Sequence, residues 1–182
     1  MALTLADIAT LFTQHSTAQY SGEPVTQLEH ALQTAQLAES AGAGDELVTA
    51  ALLHDLGHLL NDLGKSPTLR GVDDTHQYSA LPFLRGVFSN RVLCAIQWHV
   101  DAKRYLCAVQ PDYQAGLSVD SQRSLELQGG IFSAKEAQRF IAQAHAGDAV
   151  QLRLWDDKAK TANHITPSLA HYLTCAERCR VN

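Results

Sequence analysis

The sequence lacks any apolar run approaching the roughly 20 residues that a helix needs to cross a bilayer, so no membrane span is expected. It also lacks a basic segment ahead of an apolar stretch: the opening MALTLADIATLF reads as a first amphipathic helix and not as a secretory signal. Cysteine is scarce, with 4 in the chain (Cys94, Cys107, Cys175 and Cys179). Cys175 and Cys179 are one helical turn apart, but no second thiol pair or adjoining histidine completes a metal site, and the four read as structural thiols of a reduced, cytoplasmic protein. No GxGxxG motif is present, which argues against a flavin or nicotinamide. Basic charge is not in excess either: Lys and Arg number 14 against 19 Asp and Glu, a net charge of −5. That balance argues against nucleic acid or an anionic membrane as partner, while leaving room for local cations in a pocket for a small anion.

What is present is helical patterning. With 182 residues, 46% apolar and 18% charged, the chain should fold as one domain over residues 1–182. Leu5, Ile8, Leu11 and Phe12 form the stripe of a first helix. YSGEP is a turn, with Pro24 placed to open a second helix carrying Leu28, Ala31, Leu32, Ala35 and Ala38. Asp45 starts a helix through DELVTAALLHDLGHLL, and NDLGKSPTLRGVDD is the longest loop. Helices are expected over about 75–87, 91–106 and within SVDSQRSLELQ, and a Ser133/Glu136 capping box starts another that ends near Ala146. Gly147 should break that helix, Ala149 to Lys158 should be helical, and Thr166-Pro167 should open the last one. No strand run, repeat or second domain stands out, so the expected fold is all-α, a globular helical bundle.

Within this apolar pattern LLHDLGHLL places His54, Asp55 and His58 among leucines. Burying such groups unpaired costs several kcal/mol, roughly the price of lost hydration, so they should hold something. In one continuous helix His54 and His58 share a face, as in zinc proteases, but Asp55 stands where those sites need a longer Glu. His30 lies on an apolar helix, His76 opens the helix after the long loop, His99 adjoins Trp98, and Asp156 and Asp157 follow Trp155. Imidazole with carboxylate suits iron, manganese or zinc.

The order His30, His54-Asp55, Asp156, with His76 and His99 between, resembles the HD-domain superfamily in its two-metal form. The resemblance implies that Asp55 bridges two metals, that His30, His54 and Asp156 complete one set of ligands, and that His76 and His99 complete the other. Most of that superfamily are phosphohydrolases; a smaller branch is oxidative. From near residue 20 to near residue 172 the chain is similar to the PhnZ-like branch, which cleaves carbon–phosphorus bonds. The shared patterns are YSGE at 20–23, QLEHALQ at 27–33, AALLHDLGH at 50–58, AKRYL at 102–106, LELQGG at 125–130 and RLWDDKAK at 153–160. The chain departs from the branch at Ser21 and in the loop after Asn61.

That resemblance implies further roles. Tyr20 and Glu23 match a mobile pair over the second metal, with Glu23 the partner of a cationic nitrogen on the substrate. Lys103, Ser121, Gln128 and Arg153 match groups that hold the phosphonate or line its pocket. His58 matches a histidine beside the substrate, and with Asp55 it would serve catalysis. Asp156 is preferred to Asp157 as ligand, because the pattern places the ligand directly after Trp155. The implied reaction is oxidative cleavage of 1-hydroxy-2-aminoethylphosphonate, or an N-methylated analogue, by a mixed-valent Fe(II)/Fe(III) pair with dioxygen as co-substrate. Phosphate and a carboxylate such as glycine or glycine betaine would be released. Two other readings remain: a metal-dependent phosphohydrolase acting on a nucleotide or phosphomonoester, and a non-catalytic ligand sensor. Oligomeric state is not readable.

Overall fold

A computed structural model describes residues 2–20, 22–61 and 67–181. Ser21 and the centre of the loop after Asn61, two places where the sequence departs from the resembled branch, lie outside the described residues. Among the described residues eleven α-helices follow one another, α1 to α11, and the only β-type pairing is isolated bridges. No helix among the described residues is long and apolar enough to cross a membrane.

The centre of the bundle is α3 (Asp45–Leu53), buried at every position from Leu47 to Leu53. A helix apolar on all sides must be wrapped by others. The helices that pack on it are α2 (Gln27–Ser40), α7 (Asn90–Val109), α10 (Ala146–Asp156) and α11 (Leu169–Arg178). α1 (Leu5–Gln14) buries Ile8 and Phe12 of the expected stripe in the same core, which continues to Tyr172, Cys175 and Ala176. All four cysteines are free thiols.

Several helix boundaries differ from the sequence reading. The helix expected through LLHDLGHLL stops at Leu53 and restarts as α4 (Leu56–Leu60), with Asp55 at φ −102°, ψ 11° between them. Apolar residues run through the break because both pieces are buried, so periodicity alone does not register it. Pro24 does not open α2; Thr26 caps it, accepting from Glu29 N while the Glu29 carboxylate accepts from Thr26 N. The helix expected over 75–87 is two short pieces, α5 (His76–Ser79) and α6 (Leu81–Leu84), where Pro82 cannot continue the hydrogen-bond ladder. α8 (Val119–Leu127) and the Ser133-capped α9 (Ala134–Ile141) follow as expected, but α9 ends one turn early. Gly147 lies inside α10, not at a break, and Ser168, not Thr166-Pro167, caps α11.

Candidate metal centre

Five elements converge on one buried cluster. His30 comes from α2, His54 and Asp55 from the junction of α3 and α4, His76 from the start of α5, His99 from α7 and Asp156 from the end of α10. His30, His54 and His99 are at most 1% exposed, and Asp55, His76 and Asp156 are also buried. At the break the Asp55 carboxylate turns inward alongside His54. His58 falls on α4 and is stacked on His76 at 4.1 Å between ring centroids.

The imidazoles are fixed in one tautomer by their outer nitrogens. His30 Nδ1 donates to Ala159 O at 2.9 Å, His54 Nδ1 to Ala51 O at 2.9 Å and His99 Nδ1 to Ile96 O at 2.7 Å. His76 Nδ1 donates to the Asp74 carboxylate at 2.7 Å. A carbonyl or ionised carboxylate only accepts, so each Nδ1 bears a proton, and each ring, when neutral, presents an Nε2 lone pair. Those lone pairs meet: Nε2 of His30 and His54 are 3.2 Å apart, and those of His76 and His99 are 3.0 Å apart. At these distances each pair is suited to share a cation, a proton in the metal-free protein or a metal ion.

Asp55 lies between the two pairs. Its Oδ2 is 3.3 Å from His54 Nε2 and 3.5 Å from His30 Nε2, while Oδ1 is 3.3 Å from His76 Nε2 and 3.6 Å from His99 Nε2. Asp156 Oδ1 joins the first pair at 3.3 Å from His30. Asp55 Oδ2 and Asp156 Oδ1 are buried without a hydrogen-bond partner. Two groups of donors can therefore each hold a metal: His30 with His54 and Asp156, and Asp55 with His76 and His99. Buried carboxylate oxygens without a hydrogen-bond partner, next to converging imidazole nitrogens, fit metal ions.

The electrostatics point the same way. Burial works against a charge on His54, but Asp55 and Asp156 outweigh it and lift the imidazole to about 9. Burial also opposes ionisation of Asp55, yet His54 and His58 hold its carboxyl well below the usual range. Burial, with the charges of His76 and His54 nearby, keeps His99 well below the ordinary histidine value. The cluster demands positive charge and offers lone pairs to receive it.

The HD-domain family profile matches residues 28–128. Hydroxymethylphosphonate dioxygenase from Gimesia maris is 44% identical over 170 residues, covering 93% of this chain and 84% of the relative. The glycine-betaine-forming [1-hydroxy-2-(trimethylamino)ethyl]phosphonate dioxygenase of Leisingera caerulea is 35% identical over 175 residues, 94% of this chain and 87% of the relative. The chain belongs to the phosphonate dioxygenases of the HD-domain family.

Above the metal centre of this HD-domain protein opens a cavity of about 780 Å³, bordered by Asp55, His58, His76, His99 and Asp156 on its floor. Lys103, Ser121, Gln128 and Arg153 also line it, together with Tyr20. The Tyr20 ring is stacked on His30 at 4.0 Å and lies edge-on to His58 at 6.5 Å, so it roofs the cluster. Burial and then the Asp55 and Asp156 charges raise its phenol well above the ordinary value, keeping it neutral. Lys103, 2% exposed, donates to Ser124 Oγ at 2.7 Å, and burial followed by the Arg153 charge pushes its ammonium down to about 7. Arg153 pairs with Asp156 Oδ2 at 2.9 Å and also with Asp157, so it braces one carboxylate of the cluster while bordering the cavity. Gln128 Oε1 is buried without a partner. Its turn is held by Arg104, which donates to Gly129 O and Gly130 O, with both glycines at positive φ.

Glu23 is placed differently from its expected position in the pocket. It is not among the described residues that line the cavity, and its carboxylate pairs with Lys160 at 2.9 Å. Asp157 is held by Tyr113 and Arg153, away from the facing imidazoles. Sequence reasoning missed Asp74, whose two oxygens accept from His76 Nδ1 at 2.7 Å and meet His58 Nδ1 at 3.0 Å. His58 and His76 hold its carboxyl far below the usual range against the opposing effect of burial. The signal was there in GVDDTH, an acid two residues before a candidate ligand, at a point where Thr75 adopts φ +49° to aim His76 inward. Ser124 was missed as well, three residues beyond the noted Ser121.

Proposed function

We propose that this protein uses dioxygen to cleave the carbon–phosphorus bond of a small 1-hydroxyphosphonate, releasing phosphate and a carboxylate. The substrate class is that of 1-hydroxy-2-aminoethylphosphonate and its N-methylated analogue, which would give glycine and glycine betaine. The two relatives are named for substrates that share the hydroxyl and phosphonate on one carbon and differ in what else that carbon bears. The observation that carries the reading is the Asp55 carboxylate, with one oxygen turned to each imidazole pair and Lys103 buried on the wall above.

In this reading His30, His54 and Asp156 would hold one iron and His76 and His99 the other, with Asp55 offering an oxygen to each. The pair, in its mixed-valent Fe(II)/Fe(III) state, supplies the redox chemistry with dioxygen. The chain's own residues bind, orient and shield. Lys103 and Arg153 meet the phosphonate dianion, Lys103 as a point charge and Arg153 through the donors not used on Asp156 and Asp157. Ser121, Ser124 and Gln128, whose Oε1 has no partner within the protein, complete that wall. His58 Nε2 is 3.8 Å from Asp55 Oδ1 at the cavity floor, and Asp74 on its Nδ1 keeps that ring oriented toward substrate. Tyr20 closes over the cluster and must swing aside or share the space when substrate enters.

Iron-loaded protein given a 1-hydroxyphosphonate in air should release phosphate with matching oxygen uptake, and should carry about two irons per chain. Full-rate phosphate release under strict anaerobiosis would instead mark a phosphohydrolase, and turnover that survives Asp55→Ala would sink any role for the bridging carboxylate.

A further inference from the structure

One corner beside the cavity, behind the lining residues Tyr20 and Gly22, holds an ion pair that the reaction as described does not use. Lys160 Nζ lies 2.9 Å from Glu23 Oε1, 3.4 Å from Ser118 Oγ and 5.8 Å from the centre of the Tyr20 ring. The two charged side chains are 14% and 11% exposed, so water screens the pair little. Lys160 follows Ala159, whose carbonyl orients His30, and reaches Ser118, the cap of α8, which carries Ser121 and Ser124. One ammonium thus links the Tyr20 roof, the wall that holds Lys103 and the segment leaving the metal centre.

The corner also borders the cavity. Gly22, the residue before Glu23, lines it, and a side chain there would come within 3.5 Å of Asp120 Cβ, another lining residue. Asp120 is engaged by the Thr68 hydroxyl at 2.5 Å, Asp73 by Thr75 N and Asp74 by two imidazoles. With the phosphonate at the Lys103 wall and the hydroxyl at the cluster, the remaining substituent on C1 is left to the other walls, of which Gly22, with Glu23 directly behind it, forms one. A carboxylate behind that wall is a natural partner for a cationic substituent, and Lys160 already holds it.

We propose that Lys160 is a specificity-determining residue: by neutralising Glu23 it sets how strongly the cavity favours a 1-hydroxyphosphonate with a cationic group on C2 over one without. The inference rests on the reaction proposed above. Lys160 and a substrate ammonium compete for one carboxylate, so the lysine weakens whatever advantage the ammonium would otherwise gain. Removing it leaves a buried carboxylate without a counter-ion. That charge draws a cationic substituent in and repels a bare dianion, so the two substrates move in opposite directions.

The test compares 1-hydroxy-2-aminoethylphosphonate with hydroxymethylphosphonate in the iron-loaded protein. Two readouts are used: kcat/KM from oxygen-dependent phosphate release, and dissociation constants from anaerobic calorimetry. In Lys160→Met, and again in Lys160→Gln should the first fold poorly, both ratios should shift toward the amino compound by about tenfold or more. Lys160→Arg, which keeps the ion pair, should hold them near wild type, and Glu23→Gln added to Lys160→Met should cancel the shift. Unchanged ratios in both lysine variants, or a shift that survives Glu23→Gln, overturns the inference. If the wild type releases no phosphate from either compound in air, the proposed reaction is what fails, and the calorimetric ratios still decide the role of Lys160.

Discussion

Gly57 lies so close to the backbone of His76 that a β-carbon on it would stand 2.0 Å from the His76 carbonyl oxygen and 2.7 Å from the carbonyl carbon. Both atoms belong to the backbone, so no side chain can rotate out of the way. Glycine here is a packing requirement that lets α4 press on the turn bearing His76. Gly57→Ala should push the two apart at a cost of about 1–3 kcal/mol in stability. Only His76 is displaced directly, so metal analysis after iron loading should fall from about two irons per chain toward one. Two irons at wild-type stability would contradict this account.

Asp74 makes a second prediction, because one carboxylate serves two imidazoles. In Asp74→Asn the amide oxygen can accept from only one ring, and the amide NH2 then faces the N–H of the other. One of His58 and His76 must change tautomer or turn. Losses of this kind run at roughly 10–100-fold in metal affinity or activity. Activity and competitive metal titration of the purified variant would measure it, and the fold should persist, since Asp74 touches the site and not the main core.

Lys103 should leave a mark on the pH profile. Burial and Arg153 lower its ammonium to about 7 in the free protein, so it is charged below that pH and neutral above. A phosphonate needs the charge, so kcat/KM should fall as pH rises through about 7. The substrate's own ionisation contributes to the profile as well, and Lys103→Met separates the two: the variant should lose the arm due to Lys103. It should also lose about 10–150-fold in kcat/KM, the range for a hydrogen bond to a charged group.

Stripping the metal should destabilise the whole molecule. The cluster joins α2, the α3–α4 junction, α5, α7 and α10, and without a cation it leaves two buried carboxylate oxygens unpartnered. Free metal at about one thousand times its dissociation constant adds ~4 kcal/mol to a protein that binds it only when folded. For a chain of this size that is roughly 8–16 °C in Tm. Calorimetric scans with and without chelator would show the difference; identical midpoints would mean that the cluster holds no ion.

Much of the site was legible from residue types. His30, His54, Asp55, His76, His99 and Asp156 stand out because imidazoles and carboxylates are rare on apolar helices, and all six converge. The bundle was legible from periodicity, since α1, α2 and α7 carry apolar stripes over long enough spans. What escaped depends on tertiary contacts. The break at Asp55 sits inside an unbroken apolar run, and the packing of α4 on α5, not local sequence, sets it. Asp74 ends the long loop and Lys160 ends the RLWDDKAK pattern without a role being read for either, and only the folded chain shows the imidazoles and the carboxylate they meet. Glu23 was read for its chemistry as a cation partner, but its partner in the fold comes from 137 positions further along the chain.

The order of the proposed ligands along the chain carries a consequence for biosynthesis. A ribosome makes His30, His54, Asp55, His76 and His99 well before it makes Asp156, and the segment supplying Ala159 to orient His30 comes later still. A nascent chain can thus display most of the proposed metal-binding set while the group that needs Asp156 is still open on one side. Correct loading must wait for α10 to dock, so the last third of the chain decides when a growing polypeptide becomes a metalloprotein.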